Sequence, residues 1–365
     1  MADYRWGILG TGQIANEFAK GLYAAPGAVL HSACSRTVEK VSQFCSIYGI
    51  KNNYSDIDKF LADPELDIVY ISTPNALHAQ QAVRCLEAGK HVLVEKPFGL
   101  SFAQAQQVVN AARKSKTLCM EAMWSRFLPA YQQVFERVQQ GGIGEIRYFS
   151  ASFGNTRIFN PYTKLFDPAS GGGSLLDLGV YPLSLALMFL GLPVEVEASG
   201  RKAASGVDGA MDITLHFENG ASASIHCSVD SELPNRVWIG GDRGYAEIPA
   251  PIYRPTRYRM VRTTPLDIYR APAGFGKKEK LRWQQPVCTL LEGIRHLLEP
   301  FKELKSFTRA SYFANGYQYQ ASALMKSLDA GETECEIMPL AQTLKLYELT
   351  DTIRKQVGID FPGVD

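Results

Sequence analysis

Lys96 stands where a charged residue has little to contribute to folding. The apolar run Val92–Val94 is typical of a strand buried on both faces of a parallel sheet, yet it continues into Glu95, Lys96 and Pro97. Ligands bind outside the carboxyl ends of the strands in open α/β sheets, and Pro97 holds Lys96 in extended backbone. The pattern therefore predicts an ammonium group at a ligand crevice, with an exposed Lys-Pro at a strand end as the equally weighted alternative.

Asp177 and Tyr181 are a second pair of residues that could do chemistry. Three glycines at 171–173 precede Ser174, which is a plausible N-cap of a helix running to about Leu190. Residues four apart lie on one face of a helix, so the carboxylate and the phenol are predicted to be neighbours. Spacing alone leaves open a structural explanation, in which Asp177 completes a capping box with Ser174 and Tyr181 is only buried.

A glycine turn begins the first predicted strand–helix unit. The strand pattern Trp6–Leu9 runs into Gly10-Thr11-Gly12-Gln13-Ile14-Ala15, and apolar residues then recur at helical spacing. In such a G-x-G-x-x-A turn the first glycine allows the tight turn, the second admits a pyrophosphate, and the third small residue allows close packing. The turn predicts a dinucleotide site whose contacts are Gly10, Thr11, Gly12, Gln13 and Ile14.

The second predicted strand, residues 29–34, ends where a dinucleotide-binding protein holds the adenosine ribose. Ser35-Arg36-Thr37 follow it, and no carboxylate is present to bind the ribose hydroxyls of NAD. The planar guanidinium of Arg36 suits a 2′-phosphate, and the hydroxyls of Ser35 and Thr37 add donors. These residues favour NADP, with NAD possible and an exposed arginine as the structural alternative.

Three polar residues follow the strand predicted at 67–72. Thr73 and Asn75 flank a proline, and His78 begins the next helix, so all three are predicted at the cofactor rim. For His78, capping or packing is an equal alternative to ligand binding.

The second half of the chain predicts an antiparallel sheet. Apolar residues alternate with polar ones over 211–217 and 221–227, which is a hairpin pattern. A three-residue loop at 218–220 would oppose Ile225 to Ile213, whereas a two-residue loop would oppose it to Thr214, and we favour the longer loop. Helical patterns near 288–304, 312–330 and 340–357 are interpreted as scaffold.

Composition excludes several classes of function. The 38 basic and 37 acidic residues leave a net charge of +1, without a basic stripe, so nucleic acid is not an expected partner. Seven dispersed cysteines favour reduced thiols in a cytoplasm. No targeting segment or run of membrane-spanning length is predicted, and His216 and His226 lack metal-ligand spacing, so no metal is expected.

In chain order, the glycine turn, Thr73-Pro74-Asn75-x-x-His78 and Glu95-Lys96-Pro97 resemble the glucose-fructose oxidoreductase and inositol dehydrogenase family (Gfo/Idh/MocA). The resemblance covers nearly the whole chain. It implies a Rossmann doubly wound parallel sheet at 1–122 and, at 123–365, an α/β domain with a large, open, mostly antiparallel sheet for substrate binding and dimerisation. Residues 121–127 resemble the dihydrodiol dehydrogenase and D-xylose dehydrogenase branch.

The resemblance also implies the roles of site residues. Many members carry D-x-G-x-H with a catalytic histidine, whereas this chain has Tyr181 at that position, as its branch does. Lys96, Tyr181 and Asp177 are then catalytic, and an ammonium about 4 Å from the phenol would lower its pKa by roughly one to three units. The further contacts implied at the site are Glu95, Lys96 and Glu121 beside the cofactor and Trp124, Arg126, Phe153 and Asp177 beside the substrate.

The sequence thus predicts an NADP-dependent oxidoreductase acting on a carbohydrate or cyclic vicinal diol, as a homodimer through the open sheet. Two alternatives remain at this stage. One is an NAD-linked polyol dehydrogenase, and the other is a non-catalytic NADP-binding sensor on the same fold, which would lose the lysine or the acid/base residue. Both residues are present here.

Overall fold

The first part of the chain alternates strands and helices, and the computed structural model describes residues 3–264 and 306–364. Its strands are β1 Tyr4–Leu9, β2 Ala28–Cys34, β3 Asn52–Tyr54, β4 Ile68–Ile71, β5 His91–Glu95 and β6 Cys119–Ala122. Its helices are α1 Gln13–Leu22, α2 Val38–Tyr48, α3 Ile57–Leu61, α4 His78–Glu87 and α5 Phe102–Ser115. The six strands are parallel in the order β3-β2-β1-β4-β5-β6, as the predicted doubly wound sheet requires.

The central strands of this sheet are apolar because helices cover both of its faces. All four residues of β4 and Val92–Val94 of β5 are fully buried. Parallel strands bring their carboxyl ends to one edge, so the residues that follow β1, β4 and β5 meet there. That edge carries the glycine turn, Thr73 and Lys96.

The second sheet has eight strands in the order β14-β13-β12-β11-β7-β10-β9-β8. Its strands are β7 Ile146–Gly154, β8 Glu195–Lys202, β9 Asp208–His216, β10 Ser222–Ser228, β11 Val237–Gly241, β12 Gly244–Ile248, β13 Arg257–Arg262 and β14 Thr308–Arg309. Only the β7–β10 pair is parallel among its described strands. A large, mostly antiparallel sheet is therefore present, as predicted.

The β9–β10 hairpin confirms the predicted register. Ile225 pairs with Ile213, and the loop is Glu218–Gly220 with Gly220 at φ 77°. Glycine adopts this left-handed conformation without strain, which is why the three-residue loop is accessible to the sequence.

The remaining helices connect the two sheets. They are α6 Pro129–Gln139, α7 Val180–Leu190, α8 Tyr317–Asp329 and α9 Leu340–Val357. The last two return to the first sheet: Tyr4 donates a hydrogen bond to Asp329 of α8 (3.1 Å), and the Phe102 amide donates to Asp351 of α9 (2.9 Å). The helix predicted near 288–304 lies outside the described residues.

The predicted division between residues 122 and 123 stays a prediction. The last strand of the first sheet ends at Ala122, but the chain contributes α8 and α9 to the first unit's surface much later. The six described cysteines are buried and unpaired.

One described stretch, Pro168–Leu190, is long and apolar enough to cross a membrane, so the expectation that no run reaches this length is wrong. Of its apolar window, 83% is buried inside the protein. The stretch is a core helix of this fold, packed between the second sheet and α9, and its apolar composition follows from that burial.

Candidate active site

The two glycines of the turn after β1 are needed for different reasons. Gly10 has φ 98°, and a Cβ there would lie 2.9 Å from the Ser72 carbonyl carbon, so the fold itself requires glycine. Gly12 precedes α1, whose N-terminus has no side-chain cap, and a Cβ at Gly12 would have no atom of the described protein within 4 Å. The open space in front of Gly12 and the free N–H groups of α1 suit a bound anion.

A cavity of about 1010 Å³ runs along this edge of the first sheet. The residues predicted at the cofactor that line it are Gly10, Thr11, Gly12, Gln13, Ile14, Ser35, Arg36, Thr37 and Thr73. Sequence reasoning missed others, notably Lys40, Gln81 and Lys164. Lys40 lies four residues beyond Arg36 in the sequence, and this spacing could have predicted a second cation at the cavity.

Arg36 and Lys40 give one end of the cavity a positive charge. Within residues 3–264 and 306–364, neither side chain has an ion-pair or hydrogen-bond partner, and both line the cavity. The nearby carboxylate of Asp56 is occupied, because it accepts the Asp58 and Lys59 amides at 2.8 and 3.0 Å and caps α3. These backbone hydrogen bonds, that of Lys59 first, lower the pKa of Asp56. A 2′-phosphate would meet two unpaired cations here.

Lys96, Asp177 and Tyr181 come together at the junction of the two sheets. Lys96 follows β5, and its Nζ donates to the Asp177 carbonyl oxygen at 2.7 Å and to Asp177 Oδ1 at 3.3 Å. The same ammonium lies 5.2 Å from the centroid of the Tyr181 ring. The Lys96 and Tyr181 side chains are therefore neighbours, and the hydrogen bonds to Asp177 hold the lysine ammonium in this position.

The charge states of these groups follow from burial and from one another. Burial is the largest single effect on Lys96 and disfavours its ammonium, but the charge and hydrogen bond of Asp177 act together with Tyr181 and Glu95 to raise the lysine pKa above its ordinary value. Burial likewise opposes ionisation of Asp177, but the charge and hydrogen bond of Lys96, aided by the charges of Lys164 and Arg157, lower the Asp177 pKa. The two residues form an ion pair whose carboxylate is 39% exposed at the crevice.

The pKa of Tyr181 is raised above 10, and the expectation that Lys96 lowers it below that value is wrong. Burial of the phenol is the larger effect, and the lysine ammonium only partly offsets it. Tyr181 is therefore a neutral hydroxyl at neutral pH, and its oxygen accepts a hydrogen bond from Trp124 Nε1 at 3.3 Å.

Aromatic rings surround the Tyr181 hydroxyl. Phe153 packs edge-on against Tyr181 with ring centroids 5.5 Å apart, and Tyr253 stacks on Phe153 at 5.6 Å. Trp124 is stacked on Tyr317 at 4.6 Å. Trp124 and Phe153 were predicted, whereas Tyr253 and Tyr317 were missed because they lie far along the chain in segments without a motif.

His78 and Glu95 support the site rather than line the cavity. The His78 ring is buried, with its nitrogens 2.7 Å from the Pro97 carbonyl oxygen and 2.8 Å from that of Thr73. Burial lowers the His78 pKa more than these carbonyls raise it, so the neutral ring donates to one of them. Glu95 is buried and accepts the Tyr70 hydroxyl at 2.5 Å. Of the other rim residues, Asn75 lies in a short 3₁₀ turn and is not among those lining the cavity.

Glu121 and Arg126 do not line the cleft, and their predicted contacts with cofactor and substrate are corrected here. Glu121 is fully buried and accepts the Tyr347 hydroxyl at 2.8 Å; burial raises its pKa to about 7. Arg126 is 1% exposed and donates to the Ile337 carbonyl at 3.0 Å and to Gln342 Oε1 at 2.6 Å. A guanidinium has several donors and can hydrogen-bond to segments that are remote in sequence, and Arg126 stabilises the fold in this way.

The capping box of Ser174 and Asp177 is also absent. Residues 175–179 form a π-helical turn with no side-chain cap from Ser174. The Ser174 hydroxyl instead donates to Asp208 Oδ2 at 2.8 Å, and the Leu175 amide donates to the same oxygen. Because Asp208 of β9 takes the capping position, the Asp177 side chain remains available to Lys96.

The arrangement is that of a dinucleotide-dependent oxidoreductase. The cradle at Gly12, the uncapped α1 N-terminus and the unpaired cations fit a nicotinamide dinucleotide. The described residues contain no group of three or more His, Cys, Asp or Glu able to hold a metal ion.

Comparison with known proteins identifies the family. Residues 4–123 match the oxidoreductase family with an NAD-binding Rossmann fold, and residues 131–247 match the GFO/IDH/MocA C-terminal domain. The chain therefore belongs to the GFO/IDH/MocA oxidoreductase family, and it is a dehydrogenase that uses a nicotinamide cofactor.

Similar proteins cover the chain from end to end. A trans-1,2-dihydrobenzene-1,2-diol dehydrogenase of Mus musculus is 31% identical, with 98% of both chains aligned. One from Danio rerio is 30% identical over 97% of both. Among solved structures, aldose-aldose oxidoreductase from Caulobacter crescentus complexed with glycerol is 25% identical with a TM-score of 0.80, over 98% of both chains.

Proposed function

We propose that the protein is an NADP-dependent dehydrogenase that oxidises or forms a hydroxyl group on a carbohydrate or a cyclic vicinal diol. The observation that carries the proposal is the Lys96–Asp177 ion pair beside the neutral Tyr181, at the edge of the first sheet that also carries a cavity lined by Arg36 and Lys40. The residues around Tyr181 can exchange a proton with a hydroxyl oxygen of the substrate. Arg36 and Lys40 favour a cofactor whose ribose carries a phosphate.

The residues that would hold NADP follow the length of the cavity. The α1 N-terminus and Gly12 would bind the pyrophosphate, and Arg36 and Lys40 the 2′-phosphate. When bound, the nicotinamide supplies the hydride donor or acceptor. Preference for NADP over NAD then depends on Arg36, which has no competing partner among the described residues.

Tyr181 is proposed as the residue that exchanges a proton with the substrate oxygen. In the reduction direction its neutral hydroxyl donates that proton to the oxygen that becomes a hydroxyl group. Lys96 holds its positive charge beside the phenol because Asp177 accepts two contacts from it, and this charge stabilises the phenolate left behind. Trp124 Nε1 donates to the same oxygen and fixes its position.

The aromatic walls support a substrate with apolar faces and vicinal hydroxyls. The rings of Trp124 and Phe153 beside Tyr181 would give a substrate an apolar contact, and the Asp177 carboxylate, 39% exposed, offers an acceptor for a second hydroxyl. The named relatives act on a cyclic trans-diol and on aldoses, and D-xylose belongs to the second of these classes.

The protein is further proposed to be a cytoplasmic homodimer. The outer face of the second sheet carries small polar side chains, including Thr214 and Ser224, which form a directly opposed pair. A second copy of the chain meeting this face across a two-fold axis would pair polar groups on both sides. Buried, unpaired cysteines agree with a reducing compartment.

A substrate and cofactor panel tests the proposed function. Aldoses, including D-xylose, and cyclic trans-diols would each be assayed with NADP and with NAD, following the absorbance of the reduced nicotinamide. We expect turnover with members of at least one class and a higher kcat/KM with NADP. Arg36→Ala should weaken NADP binding about 10- to 100-fold and leave NAD unchanged. Equal use of both cofactors by the parent protein would instead support the NAD-linked polyol dehydrogenase.

A further inference from the structure

Lys164 is an unusual member of the cavity lining. Of the residues lining the cavity, only Lys164 and Ser170 come from beyond residue 84; the rest belong to the first sheet's unit. Lys164 lies in the segment between β7 and α7, is exposed, and has no hydrogen-bond or ion-pair partner within the described residues. An unpaired ammonium thus faces the dinucleotide cavity from the other side.

The charge of Lys164 also acts on three groups outside the cavity lining. These are Asp177, Glu95 and His78, all at the end near the catalytic residues. Arg36 marks the opposite, adenosine end. Lys164 lines the same cavity as Gly12 and Gln13 at the start of α1, so a dinucleotide filling that cavity would meet both.

Two of the three glycines before the π-helical turn lie against the backbone of Lys164 and Leu165. A Cβ at Gly172 would lie 2.5 Å from the Leu165 carbonyl oxygen and 2.8 Å from that of Lys164, and Gly173 N donates to the Leu165 carbonyl at 2.8 Å. Phe166 is buried and packs edge-on against Phe159 at 5.0 Å. The glycine run thus lets the Lys164 backbone cross the start of the helix that carries Asp177 and Tyr181.

We propose that Lys164 binds the pyrophosphate of the cofactor, opposite the N-terminus of α1, and so joins the cofactor to the segment that precedes the catalytic helix. This inference rests on the proposed function, because it requires a dinucleotide in the cavity. A lysine ammonium is a compact point charge that binds phosphate oxygens without a fixed geometry. NADP and NAD share the pyrophosphate, so Lys164 contributes equally to both, in contrast to Arg36.

Cofactor binding to purified variants tests the inference without any substrate. The affinities of NADP and NAD would be measured by calorimetry for the parent, Lys164→Met, Lys164→Arg and Arg36→Ala. We expect Lys164→Met to weaken both cofactors by a similar factor of about 5 to 30, because a charge-assisted contact is lost. Lys164→Arg should recover most of the affinity, and the loss in Lys164→Met should shrink at high salt.

Arg157→Met is the matched control, because Arg157 is an exposed cation of the same segment that does not line the cavity. Arg157→Met should leave the affinities for NADP and NAD within about two-fold of the parent values. A loss equal to that of Lys164→Met would show that any positive charge in the segment has this effect, which would contradict the proposal. Unchanged affinities in Lys164→Met, or a loss confined to NADP, would overturn the inference while leaving the proposed function intact. If the parent protein bound neither cofactor, the proposed function would fail together with it.

Discussion

In the proposed mechanism, Lys96 and Asp177 supply charge to one proton transfer and Tyr181 supplies the proton. The Lys96–Asp177 ion pair stays charged because each partner, together with the neighbouring charged and polar groups, offsets the burial of the other. Tyr181 stays neutral because burial of its phenol exceeds the effect of the ammonium 5.2 Å from its ring. The resting site therefore holds a proton donor beside a permanent cation, which is the state needed to reduce a carbonyl group.

Removing either member of the pair should abolish turnover while sparing the cofactor. We expect Tyr181→Phe and Lys96→Met each to lower kcat about 10²- to 10⁴-fold with NADP affinity unchanged. The double variant should be little worse than either single one, because both residues serve the same step. Tyr131→Phe is the control: it removes a buried tyrosine hydroxyl that donates to the Ile252 carbonyl at 2.7 Å, so it should affect thermal stability only. Single-turnover kinetics of Tyr181→Phe within a few-fold of the parent would remove the tyrosine from the mechanism.

The raised pKa of Tyr181 gives the two reaction directions different pH dependences. Oxidation needs the deprotonated phenol, so its rate should increase about tenfold per pH unit from near pH 7 toward pH 10. Reduction needs the protonated phenol and should be nearly constant over the same range. Asp177, with its lowered pKa, stays ionised throughout and adds no step. Initial rates in both directions would be compared across this range. A plateau of the oxidation rate below about pH 8 would show that Lys96 does lower the phenol pKa.

At the scale of elements, short turns decide where the ligand groups lie. The turn between β1 and α1 contains one glycine required by contact with the backbone of Ser72 and one that faces only open cavity. The run before the π-helical turn contains glycines that meet backbone or side-chain atoms: at Gly173 a Cβ would lie 2.1 Å from Asp208 Oδ1. Such contacts separate glycines that serve the fold from those that serve a ligand.

Alanine substitutions in the first turn should separate these two causes. Gly10→Ala is expected to lower the thermal unfolding temperature, since φ of 98° and a 2.9 Å contact both oppose a Cβ. Gly12→Ala should leave the unfolding temperature of the protein alone unchanged and weaken NADP at least about tenfold, because the methyl group occupies the pyrophosphate position. Melting curves with and without NADP measure both effects. The interpretation of Gly12 would be wrong if its alanine variant gained the same stabilisation from NADP as the parent.

Local signals predicted much of the fold and part of the site. The β9–β10 register followed from alternation and one glycine, and α9 was predicted at Leu340–Val357, its observed bounds. The capping box, which spacing alone left open, is absent because the carboxylate that caps this turn, Asp208, comes from a strand some thirty residues later. Arg126 was misplaced for the same reason: its acceptors at Ile337 and Gln342 are remote in sequence. β3 was not predicted, because three residues give no period.

At the scale of the molecule, the proposed catalytic pair comes together only because the two sheets meet. Lys96 follows a strand of the first sheet, whereas Asp177 and Tyr181 belong to the helical segment that packs against the second. The helix α9 connects the two units, because its Tyr347 hydroxyl accepts a hydrogen bond from the Phe98 amide and donates one to Glu121. Motions that separate the sheets would therefore separate the lysine from the phenol.

The outer face of the second sheet is the proposed dimer interface, and a substitution there can test it. Ser224 lies in the central part of this face, directly opposite Thr214, with its hydroxyl 3.2 Å from His226 Nε2. If two copies meet there, Ser224→Glu would bring two carboxylates near a two-fold axis and out of water, and the dimer should dissociate to monomers at micromolar concentration. Light scattering after size-exclusion chromatography measures the mass directly. Ser42→Glu, an exposed serine of α2 remote from this face, should leave the mass of the parent protein unchanged. Because the parent must be a dimer for the argument to hold, a monomeric mass for the unmodified protein would refute the interface, and a Ser224→Glu variant that remained dimeric would move it to another surface.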